Sequence, residues 1–148
     1  MWKRILFSSS SLLLSTQCFS LPTQSPGTTS YPANKPIEDR CTWGNISSLR
    51  ARCAAVFDGH GGWQVSDYLN AHVLSRLESL LASQSGRSRE SIKSLLESLF
   101  DSLEGEILEA SRGPYQMGYA SVSSTGACAT VALAFDDWYI VALSLIHI

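Results

Sequence analysis

The stretch that decides the fold reads Ala51-Arg52-Cys53-Ala54-Ala55-Val56-Phe57-Asp58-Gly59-His60-Gly61-Gly62. The residues before Asp58 are apolar apart from one arginine, which is typical of a short buried strand. Asp58 and the glycines are predicted to end this strand, and a strand end fixes a side chain at the rim of a packed sheet. The glycines also let a ligand approach the main chain. We therefore expect a carboxylate, a free carbonyl and an imidazole to lie close together at one sheet edge.

Two helices are predicted after this stretch, followed by a hairpin. Apolar residues recur at helical spacing in two stripes, which we interpret as core packing: Val65, Leu69, Val73, Leu77, Leu80, and Ile92, Leu95, Leu96, Leu99, Leu103, Ile107. Ser88 is a plausible N-cap for the second helix, and Gly113-Pro114 is expected to stop it. Residues 127–135 and 138–143 then read as strands joined by an Asp136-Asp137 turn. This order predicts an α+β fold with an antiparallel sheet.

The chemistry of the glycine-rich stretch points to a metal-dependent hydrolase. Asp58 and the carbonyl of Gly59 are hard oxygen ligands that suit Mg²⁺ or Mn²⁺, and His60 can exchange a proton near neutral pH. When such a motif stands alone, a plain strand-to-helix turn, with Asp58 capping the helix, is the more common explanation. A Walker-type phosphate loop and a dinucleotide fingerprint are excluded, because the required spacings are absent.

A second acidic pair, Glu38-Asp39, precedes the stretch by some twenty residues. A neighbouring antiparallel strand would bring Glu38 beside Asp58, where the two carboxylates would share a divalent ion. The alternative is a solvated pair at a turn.

These segments together resemble the metal-dependent protein phosphatases of the protein phosphatase 2C type. Residues 54–62 look like the family's signature, Glu38-Asp39 like its first acidic motif, and residues 124–133 like its later Gly/Thr segment. The segment Pro32 to Arg40 is most similar to the pyruvate dehydrogenase phosphatase branch. The resemblance spans residues 31–143.

The resemblance implies a partial α-β-β-α sandwich of antiparallel sheets flanked by helices, and two Mn²⁺ or Mg²⁺ ions in the complete domain. Asp58 would bridge both ions, and Glu38 and the Gly59 carbonyl would hold one of them. Asp39 would orient a bound water, and His60 would be the general acid for the leaving seryl or threonyl oxygen. The substrate would be a phosphoprotein, hydrolysed by a metal-activated water.

The sequence departs from the family pattern at two places. Asn34 stands where members usually have an arginine that contacts phosphate. The segment Ser144 to Ile148 matches nothing expected after Leu143, where the family continues toward two further metal-binding aspartates. We therefore expect residues 31–143 to be the N-terminal part of the domain, residues 144–148 to be a non-matching tail, and the fragment to be inactive as given. A non-catalytic pseudophosphatase that binds or regulates a partner is the alternative.

Residues 1–30 are interpreted as a targeting segment and linker. The chain up to Ile37 has no Asp or Glu, and Lys3-Arg4 precede a serine-rich, interrupted apolar stretch. The branch resemblance favours a mitochondrial presequence, and a secretory signal or an untargeted cytoplasmic tail are the alternatives. The apolar stretch is too short for a stable membrane span.

The overall composition limits the partners and the role of the cysteines. The net charge of −2 and the lack of a basic run argue against nucleic-acid binding. Cys53 and Cys128 are expected to be small buried thiols, and a disulfide stays open. The oligomeric state is not determined by the sequence.

Overall fold

A computed structural model describes residues 6–11, 27, 35–83, 88–118 and 124–147. Its elements, in chain order, are β1 (Leu6–Ser11), β2 (Arg40–Ile46), a 3-10 turn (Ser47–Leu49), β3 (Ala51–His60), α1 (Gln64–Ala82), α2 (Arg89–Gln116), β4 (Gly126–Ala134) and β5 (Trp138–His147). The α+β class and the β4–β5 hairpin are confirmed. Most of the segment expected to be a targeting sequence and linker lies outside the described residues.

The strands form one antiparallel sheet in the order β1-β5-β4-β3-β2. β3 is therefore an interior strand, paired with β2 on one side and with β4 on the other. The connection from β2 is tight, because Arg50 adopts the left-handed conformation (φ 52°) and its N–H donates to the Ser47 carbonyl at 3.2 Å. β5 continues through Ser144 to His147, past Leu143, which was the predicted last residue of this strand.

Side chains alternate between two different faces of the sheet. The inner face packs on the helices, and Phe57 and Val131 are fully buried there. The opposite face, called the open face, carries Trp43, Val56 and Leu145, which are 46%, 54% and 53% exposed. The open face is therefore apolar in part and is covered by neither helix.

The two helices cover the inner face through their predicted stripes. Leu69, Val73 and Leu77 of α1 and Leu95 and Leu99 of α2 are fully buried, which confirms the helical periodicity. No helix in the described ranges has the length and hydropathy that a membrane span requires.

The prediction that Gly113-Pro114 stops the second helix is wrong, since α2 continues to Gln116. Pro114 gives up one N–H donor and its ring crowds the carbonyl four residues earlier, and α2 ends shortly after it, at Gln116. The N–H of Met117 donates to the Gly113 carbonyl at 3.1 Å and completes the last turn.

The cysteines divide between the two faces. Cys53 is buried on the inner face as predicted, and burial raises the pKa of its thiol to about 12. Cys128 lies on the open face and is only half-buried, so the prediction of a buried thiol is wrong for it. Its strand position explains the difference, because it pairs with Asp58, an outward-facing residue of β3.

A polar cluster of Tyr68, Arg76, Ser102 and Glu106, called the latch below, joins the two helices on their solvent side. The Tyr68 hydroxyl donates to Glu106 Oε2 at 2.6 Å, and Arg76 and Ser102 also contact the Glu106 carboxylate. The hydrogen bond from Tyr68 is the main cause that holds the pKa of Glu106 below its ordinary value. The same bond is the main cause that raises the pKa of Tyr68.

The latch predicts a stability change on acidification. A carboxylate whose pKa is lowered by folding stabilises the fold above its unfolded pKa, and that contribution disappears as pH falls through the folded pKa. Glu106→Gln should lower the free energy of unfolding by about 1 kcal/mol at pH 7 and by much less at pH 3. Urea denaturation at both pH values measures this, with Glu109→Gln in the exposed Arg112 pair as the control. An equal deficit at both pH values would contradict the prediction.

Candidate metal centre

The signature residues lie at the end of β3, where the strand leaves the sheet toward α1. Asp58, Gly59 and His60 pair with Cys128, Ala127 and Gly126 of β4, so the strand runs three residues further than its apolar pattern. Strand alternation places Asp58 and His60 on the open face, Asp58 exposed and His60 half-buried, while Gly59 is buried toward the helices. The alternative in which Asp58 caps the helix is wrong, because the N-cap is Trp63 and no side chain caps it.

The glycine turn after β3 is held against the start of β4. Gly61 and Gly62 have φ values of 70° and 143°, which side chains rarely allow. A Cβ atom on Gly61 would lie 2.1 Å from the Ser124 carbonyl oxygen. The Thr125 hydroxyl donates to the Gly61 carbonyl at 3.2 Å. The turn therefore needs glycine at position 61 for both conformation and space.

The backbone of Glu38 lies beside the end of β3, while the expected position of its carboxylate beside Asp58 stays a prediction. The β2–β3 ladder begins with Arg40 opposite Phe57, so Glu38 and Asp39 directly precede its first pair. The close approach of Glu38 is direct, because a Cβ atom on Gly59 would lie 2.5 Å from the Glu38 carbonyl oxygen. The backbone of this segment therefore packs against β3, while Asp39 is exposed and Glu38 half-buried, so the alternative of a solvated acidic pair stays open.

The charges at this edge favour a cation. Asp39 and Asp58 are both exposed carboxylates near the end of β3, and a bound cation would offset the repulsion between them. Carboxylate and carbonyl oxygens are the donors that Mg²⁺ and Mn²⁺ prefer, so the residue types fit such an ion. Across residues 35–83, 88–118 and 124–147, no three His, Cys, Asp or Glu side chains are close enough together to hold a metal. The assignment of Glu38, Asp58 and Gly59 as ligands stays a prediction, as do the roles of Asp39 and His60.

The structure adds neighbours that the sequence did not reveal. Cys128 lies directly opposite Asp58, a pairing that depends on the β3–β4 register and that no local pattern indicates. Arg40 donates from Nε to Asp67 Oδ1 and from Nη1 to the carbonyls of Ile37 and Asp39, each at 2.9 Å. Asn34, where the family usually has arginine, lies outside the described residues.

A further contact links the acidic pair to α1. The hydroxyl of Ser66 donates toward the Glu38 carbonyl and also lies 2.9 Å from the Trp63 carbonyl oxygen. Ser66 is fully buried although it is polar, and these two carbonyls satisfy it. The apolar stripe of α1 gave no sign of this contact, since Ser66 stands beside the stripe and not in it.

Comparison with protein families identifies the class. The model for protein phosphatase 2C matches residues 32–144, which includes β2 to β4 and most of β5. The chain belongs to the protein phosphatase 2C family, a family of metal-dependent protein phosphatases. The search of curated proteins finds no match. The narrower resemblance to the pyruvate dehydrogenase phosphatase branch stays a prediction.

Proposed function

We propose that this chain carries part of the active site of a protein serine/threonine phosphatase that depends on Mn²⁺ or Mg²⁺. The observation that supports it most is the close approach of the two acidic segments, with the Glu38 backbone against Gly59, the residue after Asp58. Family membership supplies the class of reaction. The substrate of this reaction is a phosphorylated serine or threonine of another protein.

The candidate residues would have two kinds of role, metal binding and proton transfer. Asp58, Glu38 and the Gly59 carbonyl would hold the metal, which supplies a water of lowered pKa and offsets charge on the phosphoryl group. Asp39 would orient the attacking water by accepting a hydrogen bond from it. As water adds to phosphorus, the bond to the seryl or threonyl oxygen breaks, and His60 would give that oxygen its proton. The products are the free hydroxyl side chain and inorganic phosphate.

The test of this function begins with metal binding. Free Mn²⁺ is measured by its electron paramagnetic resonance signal during titration with the chain, with Asp58→Asn and with Asp137→Asn. Asp137 is an exposed aspartate in the β4–β5 turn, at the other end of the sheet. We expect Asp58→Asn to weaken Mn²⁺ binding by at least about tenfold, which corresponds to about 1.4 kcal/mol, and Asp137→Asn to leave it unchanged.

Activity is then measured with a phosphothreonine peptide and Mn²⁺. Asp58→Asn should lower kcat by about a hundredfold or more, since it removes several kcal/mol of charge stabilisation in the transition state. Activity that Asp58→Asn leaves intact would refute the proposed site. Tight phosphopeptide binding without hydrolysis would favour the pseudophosphatase alternative.

A further inference from the structure

We propose that Arg40, Ser66 and Asp67 form a clamp that fixes the acidic segment 37–39 against the end of β3. These three residues are called the clamp below. The proposal rests on the proposed function, because the segment matters most if its carboxylates bind metal. The clamp residues are positioning residues, since each acts on the backbone of the segment and not on substrate.

The segment needs such support because it precedes the regular ladder. β2 pairs with β3 from Arg40 onward, and residues 37–39 lie just before that first pair. Backbone that is not held in a ladder retains conformational freedom, which costs about 1–2 kcal/mol per residue to remove at the moment of binding. A preformed acidic segment would avoid this cost and bind metal more tightly.

Three successive carbonyls of the segment accept hydrogen bonds from the clamp. Arg40 Nη1 donates to the carbonyls of Ile37 and Asp39 at 2.9 Å each, and Ser66 donates to the carbonyl of Glu38 between them. Within the ladder, backbone N–H groups of the neighbouring strand donate hydrogen bonds to carbonyls. For these three carbonyls, side chains are the donors instead. The planar guanidinium suits this task, because its donors have a fixed geometry.

The first turn of α1 anchors the clamp. Asp67 accepts from Arg40 Nε at 2.9 Å; the Arg40 side chain is 24% exposed and that of Asp67 is 52% exposed, so only the arginine is shielded from solvent. Asp67 also lies in the first helical turn, where the helix dipole favours a negative charge. Ser66 comes from the same turn. The position of the segment is therefore set by the start of α1.

The same turn is connected to the other half of the candidate centre. α1 follows Asp58 and Gly59 after the short Gly61-Gly62 turn, so a short stretch of chain connects its first residues to the end of β3. A Cβ atom on Gly59 would lie 2.5 Å from the Glu38 carbonyl oxygen and 2.9 Å from Ser66 Oγ, so these three residues meet at one point. The clamp thereby fixes the distance between the two acidic segments.

The experiment compares Ser66→Ala and Arg40→Met with matched controls in the whole chain. Ser75→Ala removes a hydroxyl that bonds the carbonyl three residues earlier, as Ser66 does, but away from the acidic segment. Arg112→Met removes an exposed arginine that pairs with Glu109. Two readouts are taken: amide hydrogen exchange of residues 36–42 without metal, and the Kd for Mn²⁺ by titration calorimetry.

Without metal, Arg40→Met should speed exchange of residues 36–42 by about tenfold, and Ser66→Ala by about fivefold, from the loss of hydrogen bonds worth about 1 kcal/mol or more. Exchange of the β3–β4 amides should stay unchanged in both. The Kd for Mn²⁺ should rise by similar factors, while both controls match the parent chain. Unchanged exchange in the variants would overturn the clamp itself.

The remaining outcomes separate the clamp from the proposed function. Faster exchange with an unchanged Kd would overturn the positioning role, because the segment would then be mobile without loss of metal. A parent chain that binds no Mn²⁺ would refute the metal centre, and the positioning role with it, while the exchange data would still show whether the clamp orders the segment. Faster exchange of the whole sheet would also count against the proposal, because it indicates general destabilisation.

Discussion

Gly61→Ala is expected to lower the free energy of unfolding by about 3 kcal/mol. The left-handed conformation costs a residue with a Cβ atom about 1–2 kcal/mol, and overpacking adds about 1–3 kcal/mol. The overpacking is direct, since Gly61 has a φ of 70° and its new Cβ would stand 2.1 Å from the Ser124 carbonyl oxygen, a backbone atom that cannot rotate away. Urea denaturation followed by circular dichroism measures the change.

Gly105→Ala is the control for this experiment. Gly105 lies inside α2 with nothing within 4 Å of its added Cβ. Alanine is a better helix former than glycine, so this variant should gain about 0.5–1 kcal/mol. Opposite signs at two glycines would show that the turn, and not glycine replacement in general, is responsible. A Gly61→Ala protein as stable as the parent would mean that the turn packs differently.

Phe57→Ala is expected to cost about 3–5 kcal/mol of unfolding free energy, the range for removal of a fully buried aromatic side chain. Phe57 is 0% exposed and lies in the interior strand β3, between the sheet and the helices. A domain of this size has a total stability of about 5–15 kcal/mol, so this loss is a large share of it and the variant should unfold at a clearly lower temperature and urea concentration than the parent chain. Thermal melting by circular dichroism and urea denaturation both report it.

Val56→Ala supplies the matched control one residue away. Val56 faces the opposite side of the same strand and is 54% exposed, so its truncation should cost less than about 1 kcal/mol. The contrast also tests the register of β3, because a shift by one residue would exchange the two faces. Equal costs for the two variants would contradict the assignment of the inner and open faces.

The elements themselves could be predicted because their signals are local. The leucine stripes of α1 and α2 and the apolar runs of β3, β4 and β5 each lie within one segment, and periodicity alone identifies such elements. An antiparallel neighbour strand was expected to bring Glu38 to the end of β3, and its backbone does lie there, whereas the position of its carboxylate beside Asp58 stays a prediction. The serine-rich strand β1 has no comparable pattern.

The rest depended on contacts between segments that are distant in sequence. Cys128 was predicted to be buried, but the β3–β4 register places it opposite Asp58 on the open face. The continuation of α2 past Pro114 could not be predicted from the sequence, because proline disturbs a helix without always ending it at that residue. The clamp could not be predicted, because Arg40 and Ser66 donate hydrogen bonds to backbone carbonyls. Every residue has such a carbonyl, so the sequence does not mark these acceptors.

The place of β3 in the sheet has a consequence for folding kinetics. Its pairing with β2 joins residues close in sequence, whereas Asp58 meets Cys128 across about 70 residues that include both helices. Pairings that close long loops form slowly, because loop entropy must be overcome before contacts compensate for it. The two acidic segments can therefore come together early, as a local hairpin, while the β4 side of the centre is completed only after α1 and α2 have docked. A nascent chain would assemble this edge of the sheet in two stages.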